Sequence, residues 1–350
     1  LTVYTGEHRL RDPQTELTGG ILGPAFEVPA RVEHILERVQ QVHLGPVIPP
    51  DPFDDSAITR VHNRRFVTFL RTAWEAWQAG GHRGEAIPST WPAPGLRRRD
   101  PREIVGKLGL YAFAAETSIT NGTWEAARGA ANVALTGAAR VAGGERAAFA
   151  LCRPPGHHAH RGLYGGYCFL NNAAIAAEWL RDSGMERVAV LDVDFHHGNG
   201  TQDIFYDRPD VLFVSLHGDP RDAFPYFLGY ADETGRGAGR GMNANYPLPP
   251  GTALDTWGEA LEHACRRILA FAPDALVVSL GVDTFKSDPI SFFALESDDF
   301  SRYGERLGRL GLPTLFVMEG GYAVEEIGIN AVNVLTGFEQ GLASKTPRRP

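Results

Sequence analysis

The sequence contains little cysteine. Only three of its 350 residues are cysteines. Cys152, Cys168 and Cys265 show neither the close, even spacing of a disulfide-rich secreted domain nor the paired spacing of a zinc finger. We therefore expect three reduced thiols, buried as small apolar side chains, as is typical of a cytoplasmic protein.

Long apolar runs are missing as well. No segment approaches the roughly 20 apolar residues that span a membrane. Residues 1–12 lack the apolar core of a secretion signal. These two absences argue against a membrane protein and against an exported one, and they agree with a cytoplasmic location.

The chain also lacks an excess of positive charge. It has 34 lysines and arginines against 42 aspartates and glutamates, which gives a net charge of −8. This balance argues against a nucleic-acid partner and is compatible with a small cationic substrate. The length permits one large domain or two smaller ones. Because the polar motifs below are scattered over the second half, we expect one catalytic domain, 1–343, and a disordered tail, 344–350.

Strand and helix signals alternate along the chain. Short runs of β-branched and apolar residues predict five buried strands, at Ala147–Leu151, Val188–Asp194, Val211–Leu216, Ala275–Leu280 and Thr314–Glu319. Helical patterns cover Thr123–Ala142, Asn172–Ser183, Thr256–Phe271 and Ser297–Gly311. This alternation predicts a single-domain α/β fold of three layers, with a mostly parallel central sheet flanked by helices.

The stretch LDVDFHHGNG, residues 191–200, runs from an apolar strand signal into two aspartates, two histidines and a glycine turn. If the strand continues, alternation places Asp192, Asp194 and His196 on one face and turns His197 away. Carboxylates in an apolar run are costly unless they are paired or bind a cation. The pattern predicts a catalytic metal site and favours a packed, hydrogen-bonded His197.

Polar residues also follow the other predicted strands. Since ligands bind at the carboxyl ends of the strands in open parallel sheets, we expect these motifs to converge. In chain order they are RPPGHH (153–158), SLHGDP (215–220), SLGVDTFKSDPISF (279–292) and EGGY (319–322).

Together with GGYCFLNN (165–172), these motifs resemble those of the histone deacetylase superfamily, and the set is most similar to the bacterial acetylpolyamine amidohydrolases. The segments TELTGG (15–20), PAFEVPAR (24–31) and AAETSITNGTWEAA (114–127) are also similar to that branch. The resemblance implies an arginase-like α/β fold and hydrolysis of acetylated polyamines or diamines to acetate and free amine.

The resemblance further implies one metal ion, usually zinc, bound by Asp194, His196 and Asp283. Three protein ligands leave a coordination position open, as in catalytic sites. Two aspartates and one histidine are rich in oxygen, so iron(II) or manganese can also occupy such a site.

A monovalent-cation site for potassium is implied near the same strands. The resemblance assigns to it Ser215 and the backbone carbonyls around Asp192, Asp194, His196 and Leu216. The alternative for Ser215 is an ordinary serine at the end of a strand.

The resemblance also gives roles to a histidine pair and a tyrosine. Asp192 orients His157, and Asn199, where many histone deacetylases carry an aspartate, contacts His158. His158 would take a proton from water and later return one to the departing amine. Tyr322 would donate its hydroxyl to the oxyanion. Because an amide stabilises an imidazolium less than a carboxylate does, the two histidines should differ in basicity.

Substrate contacts follow from the same resemblance. The backbone of Gly166 would face the substrate amide, although a plain tight turn is the alternative. Tyr167 and Phe224 would form the walls of a tunnel. Phe26 and Ile290 match positions at its mouth, where isolated apolar residues are otherwise core.

The Pro- and Gly-rich loop at residues 80–100 matches an insertion that, in the polyamine enzymes, forms a homodimer and narrows the tunnel. Glu116 matches an acidic residue that receives the distal ammonium groups, whereas periodicity alone favours a glutamate on a helix surface. Val105 stands where relatives have a rim glutamate, which we expect to shift preference towards acetylputrescine or acetylcadaverine.

Three alternatives remain at this point. A lysine deacetylase would use the same chemistry on a protein or peptide. A non-catalytic binder of acetylated ligands would be expected to lack a ligand, histidine or tyrosine, and none is missing here. A two-metal ureohydrolase would need additional acidic ligands.

Overall fold

The structure is a computed structural model that describes residues 1–93, 95 and 97–345. The strands in this part of the chain are β1 (Thr2–Val3), β2 (Thr15–Thr18), β3 (Ile21–Pro24), β4 (Val47–Ile48), β5 (Ala147–Ala150), β6 (Val188–Asp192), β7 (Val211–Gly218), β8 (Asn243–Leu248), β9 (Ala275–Leu280) and β10 (Thr314–Met318). The α-helices are α1 (Ala30–Gln41), α2 (Ser56–Thr59), α3 (Arg64–Ala79), α4 (Ile104–Tyr111), α5 (Thr123–Ala142), α6 (Asn172–Asp182), α7 (Asn199–Phe205), α8 (Leu254–Phe271), α9 (Ser297–Gly308) and α10 (Ile327–Lys345).

Eight strands form one sheet in the order β4-β1-β5-β10-β9-β6-β7-β8, and all neighbours are parallel. β2 and β3 form a separate antiparallel hairpin. Because the strands of the sheet point the same way, their carboxyl ends share one edge. There, Asp192 stands in register with Ser215 on one side and Ser279 on the other.

Helices cover both faces of the sheet. The strands β6, β7, β9 and β10 are buried along their whole length, which explains why they read as continuous apolar runs. One face packs against α3, α5 and α6, and the other packs against α1, α8, α9 and α10. The predicted three-layer α/β fold is confirmed.

The predicted carboxyl-terminal end of β6, next to the proposed metal ligands, is wrong. The sequence predicts a strand to Asp194, but β6 ends at Asp192. The Val193 N–H still donates to the Ser279 carbonyl at 3.1 Å. Beyond it carboxylates are the acceptors: the Asp194 N–H donates to Asp192 Oδ1 at 3.2 Å, and the Phe195 N–H donates to Asp283 Oδ1 at 2.7 Å. Asp194 and His196 therefore lie in a turn and not on a strand.

The other predicted elements agree to within three residues at each end, and α5 and β9 have the predicted bounds. The predicted tail lies outside the described residues from 346 onward, whereas 344 and 345 belong to α10. In the part of the chain that is described, no helix combines the length and apolarity needed to cross a membrane.

Candidate active site

Three side chains converge beyond the carboxyl ends of β6 and β9. Asp194 and His196 come from the turn after β6, and Asp283 follows β9. His196 Nδ1 lies 3.3 Å from Asp194 Oδ1 and 3.0 Å from Asp283 Oδ2. One donor atom of each residue lies within 4.8 Å of the others, and all three residues are buried. We call these residues the ligand trio.

The ligand trio fits a metal ion. Two fully buried carboxylates repel each other and are costly without a positive partner. The backbone also leaves no room for a side chain beside them, because a Cβ on Gly320 would lie 2.6 Å from Asp194 Oδ2 and 2.5 Å from Asp283 Oδ2. Oxygen and imidazole donors suit a zinc-like or harder divalent ion.

The adjacent histidines His157 and His158 have different partners, as predicted. His157 Nδ1 donates to Asp192 Oδ2 at 2.9 Å, and His158 Nδ1 donates to Asn199 Oδ1 at 2.7 Å. Burial opposes charge on His157, but the carboxylates of Asp194 and Asp192 outweigh burial and raise the pKa of His157 to about 10. Burial, together with the charge of His157, holds the pKa of His158 well below its ordinary value.

Tyr322 is fixed by its backbone and its ring. Its N–H donates to Asp288 Oδ2 at 2.7 Å, and the Arg31 guanidinium lies 4.7 Å from its ring centre. Arg31 also donates to the Glu319 and Gly321 carbonyls, each at 2.6 Å, so it holds the turn that carries the tyrosine. Burial raises the pKa of the Tyr322 phenol well above its ordinary value, and the hydroxyl therefore remains a donor.

A cavity of about 330 Å³ opens onto these groups. Among the residues predicted to bind substrate, Gly166, Tyr167, Phe224, Glu116 and Ile290 line it, together with His158, His196 and Tyr322. Phe26 is not among the described residues that line it. Phe26 is half-buried, and its N–H donates to Glu16 Oε2 at 3.1 Å, so its backbone helps to hold Glu16.

The comparisons with known proteins agree with this geometry. The family model described as "Histone deacetylase domain" matches residues 25–338. The chain is 59% identical to acetylpolyamine amidohydrolase 2 of Pseudomonas aeruginosa, over 97% of this chain and 98% of that protein. It is 53% identical to the acetylpolyamine amidohydrolase of Mycoplana ramosa, over 96% and 98%. The crystal structure of acetylpolyamine aminohydrolase from Burkholderia pseudomallei superimposes with a TM-score of 0.93 at 40% identity, over 97% and 98%.

The chain belongs to the histone deacetylase family. This family is generally metal-dependent, and the position of the ligand trio agrees with that property.

The backbone of Gly166 lies against the His158 ring. Its φ is +57°, and an added Cβ would lie 2.4 Å from the His158 ring. Glycine is therefore needed both for the backbone conformation and for the close approach.

Two carboxylates belong to the cavity wall. Glu116 accepts from the Gly166 N–H at 2.8 Å and from the Thr117 hydroxyl at 3.0 Å, and it lies between α4 and α5, not on a helix surface. Burial raises its pKa. Glu16, on β2, accepts from the Tyr167 hydroxyl at 3.1 Å. Sequence reasoning missed Glu16 as a site residue, although it lies in the TELTGG segment.

Sequence reasoning also missed Glu319, a buried carboxylate. Its Oε2 accepts from the Gly156 and His157 N–H groups at 2.6 and 3.1 Å, and burial raises its pKa to about 7. Among the described residues, His157, Cys168 and Glu319 form a second group with metal-ligand spacing. Because the His157 ring is already engaged by Asp192, Glu319 acts as an anchor for the backbone of the turn that carries His157 and His158.

His197 and His217 pack together near β7. His197 Nε2 lies 3.1 Å from Gln202 Oε1, and the two rings are 4.5 Å apart, so His197 is the packed histidine that alternation favours. Ser215, beside Asp192 in the sheet, shares a 2.8 Å hydrogen bond with His217 Nδ1. The residues predicted for a potassium site are therefore neighbours.

The loop at 80–100 supports the cavity indirectly. Glu85 accepts from the Thr15 N–H at 3.2 Å and from the Ser118 hydroxyl at 2.5 Å. It thereby ties the hairpin that carries Glu16 to the segment that carries Glu116. No described residue of the loop lines the cavity, and the same holds for Val105.

Proposed function

We propose that the protein hydrolyses the acetamide of small acetylated polyamines or diamines, giving acetate and the free amine. The observation that carries this proposal is the placement of the ligand trio, the histidine pair and Tyr322 at a cavity whose wall bears Glu16 and Glu116. The names and high identity of the Pseudomonas and Mycoplana relatives support the same substrate class.

Asp194, His196 and Asp283 would hold one divalent ion, for which zinc is the first choice and iron(II) or manganese the alternatives. When bound, the ion supplies Lewis acidity towards the acetyl carbonyl and a water molecule. A potassium ion near Ser215, Leu216 and the backbone of the β6 turn is proposed as a structural ion.

The protein's own groups divide the proton transfers. His158 presents Nε2 as the acceptor for the proton of the attacking water, because its Nδ1–H is committed to Asn199. It later donates a proton to the departing amine. Tyr322 donates its hydroxyl to the developing oxyanion. His157 is held by Asp192 beside the reacting centre.

The cavity wall selects the substrate. Tyr167 and Phe224 enclose the methylene chain, and the Gly166 carbonyl orients the amide. Glu116, with Glu16 behind it, attracts the distal ammonium group in a partly desolvated place. We further propose that the preferred substrate is a short acetylated diamine and that the protein forms a homodimer through the 80–100 loop. A cytoplasmic location is also part of the proposal, and three free buried cysteines support it.

The test is a substrate panel with zinc-loaded protein: acetylputrescine, acetylcadaverine, acetylspermidine, acetylspermine and an acetyl-lysine peptide. We expect the highest kcat/KM on the diamines and release of acetate in equal amount to amine. Metal-stripped protein is the control and should be inactive until zinc is returned. A preference for the peptide would overturn the substrate proposal in favour of a lysine deacetylase, and no turnover of any substrate would favour a binder.

A further inference from the structure

A series of polar side chains in contact with one another connects the buried His158 with the protein surface. Asn199 Oδ1 lies 2.7 Å from His158 Nδ1, and Asn199 Nδ2 lies 2.9 Å from His160 Nε2. His160 Nδ1 in turn lies 3.3 Å from Asp203 Oδ2. The side chains become more exposed outward: His158 and Asn199 are buried, whereas the His160 side chain is 13% exposed and that of Asp203 45%.

These contacts allow one direction of donation. The Asp203 carboxylate accepts only, so it keeps a proton on His160 Nδ1, and the neutral His160 ring then has its lone pair on Nε2. That lone pair accepts from the Asn199 amide N–H, which turns the amide oxygen towards His158. The oxygen then requires a proton on His158 Nδ1.

The direction decides what His158 can do. With the proton on Nδ1, His158 Nε2 has a free lone pair and can accept a proton. If the Asn199 amide rotated by half a turn, its NH₂ would face His158 Nδ1, and the proton would move to Nε2. An asparagine alone does not choose between these orientations, whereas a carboxylate in its place would accept from Nδ1 in either one.

We propose that His160 and Asp203 are positioning residues that set the tautomer of His158 through Asn199. The inference rests on the proposed function, in which His158 Nε2 accepts the proton of water. In this chain position 199 is an asparagine, and the carboxylate that would orient His158 belongs to Asp203. Asp203 acts on His158 through two intervening side chains, His160 and Asn199.

The fold holds the outer pair in place. Asn199 and Asp203 are four residues apart on α7, so both face the same side of the helix. The His160 backbone is fixed by its N–H donating to the Leu163 carbonyl and by its carbonyl accepting from His62 Nδ1, both at 2.9 Å. Burial opposes charge on Asp203, but its contact with His160 outweighs burial and lowers the pKa of Asp203.

The experiment compares His160→Leu with His160→Gln in zinc-loaded protein. Leucine fills the space without an acceptor, whereas the glutamine oxygen can accept from Asn199 near the position of Nε2. We expect His160→Leu to lower kcat on acetylputrescine roughly tenfold or more at unchanged KM, and His160→Gln to retain most of it. Asp203→Asn, at a half-exposed position, should change kcat in the same direction with no loss of folded protein.

A second readout does not depend on turnover. Nitrogen-15 spectra of the histidine rings, with the His158 signals assigned by their loss in His158→Gln, report which ring nitrogen carries the proton. We expect the Nδ1–H form in the parent protein and in His160→Gln, and a mixture of both forms in His160→Leu. An unchanged Nδ1–H form in His160→Leu would overturn the proposal.

The decisive control is the Asn199→Asp background. There the introduced carboxylate accepts from His158 Nδ1 directly, so adding His160→Leu should no longer lower kcat. An equal loss in both backgrounds would mean that His160 serves general packing, and the inference would fail. A parent protein that turns over no acetylated amine would instead overturn the proposed function, while the ring spectra would still decide the tautomer.

Discussion

At the scale of single residues, the contribution of the Tyr322 hydroxyl can be separated from the position of its ring. The ring is held by Arg31 and the backbone by Asp288, and neither contact uses the hydroxyl. We expect Tyr322→Phe to keep its place and its metal content, and to lower kcat by roughly 10²–10³, because one oxyanion donor is lost. Steady-state kinetics and metal analysis on the same sample measure both. Unchanged kcat would remove Tyr322 from the reaction.

The two carboxylates of the cavity wall should differ in function. Glu116 is half-buried, whereas Glu16 is fully enclosed and accepts from Tyr167, Thr18 and the Phe26 backbone. We expect Glu116→Gln to raise KM for acetylputrescine about tenfold, since one charge-assisted contact is weakened. N-butylacetamide, which lacks the ammonium group, should show no change. Glu16→Gln should impair both substrates because it loosens the wall. An equal KM increase for both substrates in Glu116→Gln would contradict ammonium recognition.

The sequence predicts residues that carry chemistry better than residues that support it. The motifs that follow the predicted strands are rich in metal-binding and titratable side chains, and this composition indicates a site at Asp194, His196, Asp283 and the histidine pair. Glu319 acts through backbone N–H groups at positions far away in the chain, and no local pattern indicates such a contact. The same reason hid Glu16, whose only sequence signal was the similarity of its segment to the polyamine branch.

At the scale of elements, predictability follows from the length and burial of each strand. The central strands β5, β6, β7, β9 and β10 were found because both their faces are apolar. The two-residue strands β1 and β4 are too short to show a pattern, and β8, with the sequence NANYPL, has little apolar character. The hairpin of β2 and β3 had a usable signal in Gly19 and Gly20, whose φ values of +60° and +81° suit a tight turn.

The turns after β9 and β10 form one unit through Asp288. Its Oδ2 accepts from the N–H groups of Tyr322 and Ala323 at 2.7 and 3.3 Å, and its Oδ1 accepts from the Ile290 N–H at 3.1 Å. Asp288 therefore ties the turn that carries Tyr322 to a segment of the cavity wall. Burial raises its pKa to about 6.

We expect Asp288→Ala to lower kcat roughly tenfold to a hundredfold, because the Tyr322 turn loses its acceptor while the ligand trio is untouched. Asp288→Asn is the matched control: its single oxygen can still accept from the Tyr322 and Ala323 N–H groups, so most of kcat should remain. Kinetics with metal analysis check both variants. Wild-type kcat in Asp288→Ala would show that the turn holds its shape without this residue.

At the scale of the whole molecule, a buried ionic cluster joins the N-terminal segment to the sheet edge. Glu27 accepts from Arg31 at 2.9 Å and from Arg153 at 2.7 Å, and Arg11 lies 4.0 Å away. The three arginines outweigh the burial of Glu27 and lower its pKa. Arg153 also donates to the carbonyls of His8 and Arg11. The segment with Glu16 is therefore held over the site by the residue that opens the RPPGHH motif.

The dependence of the free energy of unfolding on pH tests how much the buried His62 stabilises the loop around the histidine pair. The neutral His62 ring donates from Nδ1 to the His160 carbonyl and accepts at Nε2 from the Asn171 N–H, both at 2.9 Å. A proton on Nε2 would face that N–H, and burial lowers the pKa of His62 from its ordinary 6.5 to about 4. The unfolded chain therefore binds this proton first as the pH falls. The contribution of His62 to the free energy of unfolding is complete above pH 6.5 and decreases towards pH 4, by roughly 3 kcal/mol in total.

Urea unfolding of wild type and His62→Gln at pH 7 and pH 5 measures this contribution directly. The glutamine can still accept from Asn171 but does not titrate, so its free energy of unfolding should fall less between the two pH values than that of the wild type. His34→Gln, at an exposed position, is the matched control, and its free energy of unfolding should fall between pH 7 and pH 5 by as much as that of the wild type. An equal fall in all three proteins would mean that His62 is protonated in the folded state at pH 5, and the Asn171 N–H would then need another acceptor.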